Sequence, residues 1–535
     1  MTTNSSHGIR SMIRQSLITG AAALALLSVA ATSCTDLTIE PKSTLTDANV
    51  FNDPGSYKGF LARVYSGLAV SGQRGADGRP DISGIDEGFS QYLRLLWEAQ
   101  ELPSDEAVIG WGDVGLPEMN TQTWAVTNSF VVAMYYRIYF QVGMANEFLR
   151  QTTDDKLDAR GVTGTLRTEI ATYRAEARFL RAFSYWHGID LFGDIPLLTE
   201  TDPLGSTPPT QATRKEIYDF IVSELTAITG SLPSPGAATY GRATPAAAQM
   251  LLAKVYLNAG VYTGTPNYAG ALTAASAVIN SPYSLDANYR RIFSADNNSS
   301  PEIIFAIPQD GLKTQTWGGV TFLVHASCGG SMANATYGID GCWWGIRLKP
   351  QAYNAFAAGD GRRSFFVTSG QSVNITSIGD FTHGVAAPKF TNVTTGGAPG
   401  SHATHVDTDF PVFRLADAYL IYAEAQLRGG GGAATQALTY VNALRQRAYG
   451  NASGNISATE LTLPFVLAER QRELLWEGHR RTDLVRYGQF TGGSYIWAWK
   501  GGTAAGTATD PKYNLYPIPA NELIANPNLK QNPGY

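Results

Sequence analysis

Trp111, Trp317, Trp343 and Trp344 stand among glycines and polar residues rather than in apolar runs. A tryptophan outside a core presents a flat apolar face with one N–H at its edge. That shape suits amphipathic ligands such as pyranose rings, whose C–H faces pack on aromatics while their rim hydroxyls seek planar donors and acceptors. Aromatics make up 11% of the chain, with 10 Trp and 26 Tyr, and a core absorbs most of them. Core packing is therefore the plain alternative for each tryptophan.

The candidate catalytic groups are weaker. Asp86-Glu87 and Asp105-Glu106 are neighbouring carboxylates. A glycosidase instead needs two carboxylates about 5–10 Å apart across one bond, in a dry cleft. None of the seven histidines lies in a nucleophile motif, so the residues argue against an enzyme. Asp407-x-Asp409, with Asn298, offers hard oxygen ligands to a structural calcium; a solvated loop explains them equally well. No cofactor is otherwise required. The net charge of −5 argues against a nucleic-acid partner. Cys328 and Cys342 fit either a disulfide or two buried thiols.

The elements that position these residues begin after a targeting segment. His7, Arg10 and Arg14 precede an uncharged run from Leu17 to Ala31, then Thr32, Ser33 and Cys34. The run is short for a membrane span, and the order predicts a lipoprotein signal over 1–33 with Cys34 lipidated. A tether over 34–56 and one large domain over 57–535 follow. Helical periodicity marks 129–150, 166–189, 213–229, 244–259, 268–280, 415–428, 433–449 and 464–477, and Thr244-Pro245 reads as an N-cap with proline at the first helical position. Several blocks pair across short connections. A Gly-, Asn-, Ser- and Thr-rich insert spans about 281–410. The fold class is mainly α, a scaffold of helix pairs carrying long loops. Alternating charges at Arg174, Glu176, Arg178 and Arg181, and again from Glu469 to Asp483, predict ion pairs between helices.

Four segments carry a resemblance across nearly the whole mature chain. They are RAEARFLRAFSYWHGIDLFGDIPL from Arg174, LLAKVYLNAGVYTG from Leu251, FRLADAYLIYAEA from Phe413 and ERQRELLWEGHRRTDLVRYG from Glu469. Together, in this order, they resemble the SusD/RagB family of outer-membrane nutrient-capture lipoproteins. SGQRGADGRPDISGIDEG from Ser71, ELPSDEAVIGW from Glu101, QDGLKTQTWGG from Gln309 and SHATHVDTDFP from Ser401 are similar to loops of the family's starch-binding founder.

The resemblance implies a tetratricopeptide-like scaffold that lids a SusC-like, TonB-dependent transporter barrel. It also implies lipid anchoring at the outer membrane, facing the exterior, and capture of starch or maltooligosaccharides without catalysis. The founder's arc of three aromatics falls on Trp111, Trp317 and Trp343, with Trp344 an alternative third. Its flanking hydrogen-bonding groups fall on Asp86 and Arg94. An expected asparagine is Val114 here, for which Asp113 could substitute. A bland reading makes Asp86 a turn cap with Arg94 paired to it. The competing functions are a scaffold that recognises only proteins, or a binder of another polysaccharide.

Overall fold

In the computed structural model, residues 50–51, 53–203, 205 and 207–535 are described. The signal segment, Cys34 and the tether up to residue 49, with residue 52, lie outside them. Residues Pro54–Tyr535 form one unit. Among the described residues no helix is long and apolar enough to cross a membrane.

The principal helices are α1 (Gly55–Ala69), α2 (Tyr92–Glu101), α3 (Ser129–Gln151), α4 (Gly164–Phe192), α5 (Arg214–Ile228), α6 (Pro245–Leu257), α7 (Tyr268–Ile279), α8 (Gly319–Ala326), α9 (Leu415–Leu427), α10 (Ala434–Tyr449), α11 (Leu463–Leu474), α12 (Arg480–Arg486) and α13 (Ala520–Ala525). Consecutive helices pack as pairs: α3 on α4, α4 on α5, α6 on α7, and α9 on α10. The α7–α9 contact joins pairs across the insert. Local chemistry sets the boundaries. Thr213 and Glu216 form a reciprocal capping box at α5, Thr244 caps α6 ahead of Pro245, and Gly193, with φ 74°, ends α4.

Charge pairing holds the helices where apolar packing alone would leave polar groups stranded. Arg178 and Arg181 of α4 both reach Glu224 of α5, each at 2.7 Å. Deeper, Arg414 joins Glu302, Glu473 and Glu477 at 2.8, 2.7 and 2.6 Å, all fully buried. Burial alone would raise Glu473, but Arg447, Arg414 and Arg362 outweigh it and lower it to about 2. Removing one member of such a cluster strands a buried charge.

The insert is more ordered than its composition predicts. Short ladders pair β1 (Ala107–Ile109) with β3 (Ile346–Leu348) and β2 (Ile303–Ile307) with β4 (Phe410–Arg414), both antiparallel. Helix α8 lies within the insert, and all eight of its residues are buried. At eight residues it is too short for a helical period to stand out in the sequence.

Candidate functional site

Two ladder strands deliver two of the tryptophans. Ile109 of β1 pairs with Ile346 of β3, so Trp111, just past β1, comes beside Trp343, just before β3. Trp111 Nε1 donates to the Trp343 carbonyl oxygen at 3.0 Å. Between them Gly345 has no alternative: an added Cβ would meet the Trp111 ring at 2.8 Å. The 341–345 loop is clamped to the end of α8. Trp343 N donates to the His325 carbonyl at 2.8 Å, Gly345 N donates to that of Ala326 at 2.8 Å, and Cys328 is disulfide-bonded to Cys342.

Trp317 arrives from the start of α8. Gln91 organises this corner: its Oε1 accepts from Arg94 N at 2.7 Å and Gly319 N at 2.8 Å, and its amide donates to the Leu68 carbonyl at the end of α1. The Trp317 indole N–H donates to Asp77 at 2.9 Å, which fixes the ring by its edge.

The result is a stepped aromatic surface. Trp343 is the middle ring, 6.3 Å from Trp111 and 6.0 Å from Trp317 by centroid, with interplanar angles of 48° and 53°. All three line one open cavity of about 490 Å³ with Asp86, Arg94 and Asp113. Asp86 is exposed, and its Oδ1 accepts from Gly88 N and Phe89 N at 2.8 and 3.2 Å. Arg94 Nε donates to Glu98 at 3.0 Å, and Nη1 donates to the Gly88 carbonyl at 3.1 Å. Its guanidinium lies 5.6 Å from the Trp111 ring centroid. Glu98 sits buried beneath, raised to about 7 by burial against the pull of Arg94.

A histidine supports the floor. The His325 ring stacks on Trp343 at 4.5 Å and 22°, with Nδ1 2.6 Å from the Gly341 carbonyl and Nε2 2.8 Å from that of Thr404. Burial pushes His325 below the usual histidine range, and the two carbonyls oppose that shift. His405 packs 5.0 Å from Trp317. The arrangement can stack successive flat rings and hydrogen-bond their rims.

Comparison with known proteins sets this geometry in context. The family described as "SusD family" matches residues 365–535, and "Starch-binding associating with outer membrane" matches 103–257. The chain is 36% identical to the starch-binding protein SusD of Bacteroides thetaiotaomicron, over 96% of this chain and 98% of that one. This chain belongs to the SusD family. The SusD fold recurs in a surface glycan-binding protein A from B. thetaiotaomicron, solved with laminarihexaose, at TM-score 0.68 and 21% identity over 89% of this chain and 98% of that one. A SusD superfamily protein of Parabacteroides distasonis gives TM-score 0.70 at 23% identity, covering 92% of this chain and all of that one.

Against the SusD-based expectations, several residues fall differently. Trp344 turns away from the cavity: it is 52% exposed, with φ 57°, and packs near Phe381. Arg94 pairs with Glu98, not Asp86, because Glu98 lies one helical turn along α2 on the same face. Val114 lines the cavity 89% exposed, with Asp113 beside it. Asp105 is buried against Arg480 at 2.6 Å, and Glu106 is buried as well, so neither lines the cavity.

Both carboxylates of the calcium set accept hydrogen bonds from protein donors. Asp407 accepts from Gly311 N and Ser401 Oγ, while Asp409 accepts from Gln309 N and Tyr240 Oη. The asparagine bonded to Asp409 is Asn297, not Asn298. Among the described residues no cluster of three His, Cys, Asp or Glu side chains is arranged for a metal. Sequence reasoning also missed Phe89 and Phe130 in the cavity wall, and Asp77, Gln91 and His325 behind it. Their partners are distant in sequence, and no motif announces them.

Proposed function

We propose that this protein captures oligosaccharides, α-1,4-glucans first among them, on the Trp111–Trp343–Trp317 surface. It then passes them to a SusC-like, TonB-dependent transporter barrel while a lipid on Cys34 holds it at the outer membrane, facing the exterior. The observation that carries this reading is the stepped surface itself. Three rings, each turned about half a right angle from the next, share one cavity with a carboxylate and a guanidinium. A curved glucan presents its ring faces in such steps. The name of the 36%-identical relative points to the same ligand class.

The reading includes no catalysis. The carboxylates at the cavity, Asp86 and Asp113, are exposed, whereas a glycosidic acid needs a dry setting to stay protonated. Affinity electrophoresis through amylopectin tests the function, with a reducing-sugar assay on the same protein. Retarded migration without release of reducing ends is expected. Unretarded migration, or sugar release, contradicts it. For the anchor, Cys34→Ala should free the protein from membranes; a variant that stays bound as the wild type does refutes lipidation there.

A further inference from the structure

Helix α3 leaves the tryptophan cavity and runs into a second, larger one. Ser129 and Phe130, at its first turn, line the tryptophan cavity. Tyr136, Tyr139 and Phe140 line an open groove of about 820 Å³, whose walls also include Ser83, Leu198 and Glu522. Ser129, Val132, Tyr136 and Phe140 follow the three- and four-residue spacing of one helical face and are all half-buried. Phe130 and Tyr136 are about 9 Å apart along the axis, at about 1.5 Å per residue.

A second connection bounds the gap independently. Ser83 belongs to the groove and Asp86 to the tryptophan cavity. Three residues of chain reach at most roughly 11 Å. The two cavities therefore come within roughly 11 Å of each other at Ser83 and Asp86, near enough for one extended ligand to reach both.

The groove repeats part of the chemistry of the first site, aromatic faces beside a carboxylate, with hydroxyls where the first site has a guanidinium. Its faces are set in advance. Tyr139 Oη donates to the Pro196 carbonyl at 2.8 Å, and the Arg63 guanidinium lies 5.5 Å from the Phe140 ring centroid. Asn526, which follows α13 on the opposite wall, donates to the Pro209 carbonyl at 2.8 Å. Rings fixed on a helix lose little freedom when a sugar stacks on them.

We infer that this groove is a second sugar subsite, which binds the outer units of the same glycan chain held by the tryptophans. The inference rests on the glycan-binding reading above. It makes the protein selective for length: short oligosaccharides use only the tryptophan surface, and long chains use both.

Calorimetric titration of the purified chain with maltotriose and with long maltodextrin tests it, using Ser83→Trp, which blocks the groove from an exposed loop, and Tyr136→Ala/Phe140→Ala, which removes the faces. Both variants should bind maltotriose as the wild type does, which also reports an intact fold. Both should bind long maltodextrin at least about tenfold more weakly, tenfold being the loss expected for a single stacked ring. Wild-type affinity for long maltodextrin in Ser83→Trp overturns the inference. So does equal loss of both ligands in that variant, which makes the groove a mere support. Unchanged glycan affinity with lost capture of the transporter assigns the groove to a protein contact instead. A wild type that binds neither glucan overturns the function together with the subsite.

Discussion

Trp317 and Asp86 represent the two kinds of contact the site can make, and they should differ in weight. A ring stacked on a sugar in a wet groove contributes about 1–3 kcal/mol by analogy with stacking on bases, so Trp317→Ala should weaken glucan binding roughly 5- to 150-fold. Asp86 is solvent-facing, and a net hydrogen bond there contributes about 0.5–1.5 kcal/mol. Asp86→Ala should therefore cost roughly 2- to 12-fold. Titration of both variants checks the ranking; a larger loss in Asp86→Ala reverses it. His325→Phe keeps a flat ring under Trp343 but removes the nitrogens that face Gly341 and Thr404. With those carbonyls left unmatched the loop should loosen, and affinity should fall about tenfold. Wild-type affinity in this variant would show that the loop holds itself. Trp111 and Trp317 were legible in the sequence because tryptophans among glycines are conspicuous. The choice between Trp343 and Trp344 was not, since it depends on a backbone turn at Trp344 that no pattern records. His325 was invisible for a similar reason: its partners lie 16 and 79 residues away.

The element that carries Trp343 is a loop closed by a disulfide, and spacing alone left that bond open. Cys328 and Cys342 are 14 residues apart. Closing a loop of about 15 residues stabilises by roughly 3 kcal/mol in the chain-entropy model. Cys328→Ser/Cys342→Ser should lower unfolding free energy by about that much and weaken glucan binding; denaturant titration unchanged from wild type would contradict it. The helices respond to pH through buried carboxylates of two kinds. Glu469 and Glu473 are lowered to about 2 from 4.5, their arginine partners outweighing the effect of burial. Their contribution is full above 4.5 and disappears as pH falls through 2. Glu98 is raised by burial to about 7, and burial raises Glu101, which is paired with Glu106, as well. Their contribution is full below 4.5 and is lost as pH rises through 7. For these four groups stability peaks near pH 4.5 and declines in both directions, which denaturation across pH 2–8 can measure. In Glu98→Gln the decline between 4.5 and 7 should be shallower; an unchanged slope would exclude Glu98. Helices with one wet face, such as α3, α5 and α10, were visible by periodicity. Helices α2 and α8 were not, because at ten and eight residues they are too short for the period to stand out.

At the scale of the molecule, helix pairs form a frame, and the insert brings Trp317 and Trp343 beside Trp111, which lies outside it. The frame was legible because its four motif segments sit on α4, α6, α9 and α11–α12. The site was legible only in outline. Its order along the surface, Trp111–Trp343–Trp317, follows from the β1–β3 ladder rather than from chain order, and a three-residue ladder between segments so distant in sequence leaves no trace in composition. Neighbouring rings are tilted by 48° and 53° rather than coplanar, and a ligand that curves is the proposal these tilts support. Calorimetric titration with maltoheptaose and with a straight cellooligosaccharide of equal length, on the wild type and on the Trp111→Ala/Trp317→Ala/Trp343→Ala variant, tests it most directly. The account predicts clear preference of the wild type for maltoheptaose and loss of that binding in the triple variant. Equal affinity for the two glucans, or a triple variant that binds maltoheptaose as the wild type does, would contradict it.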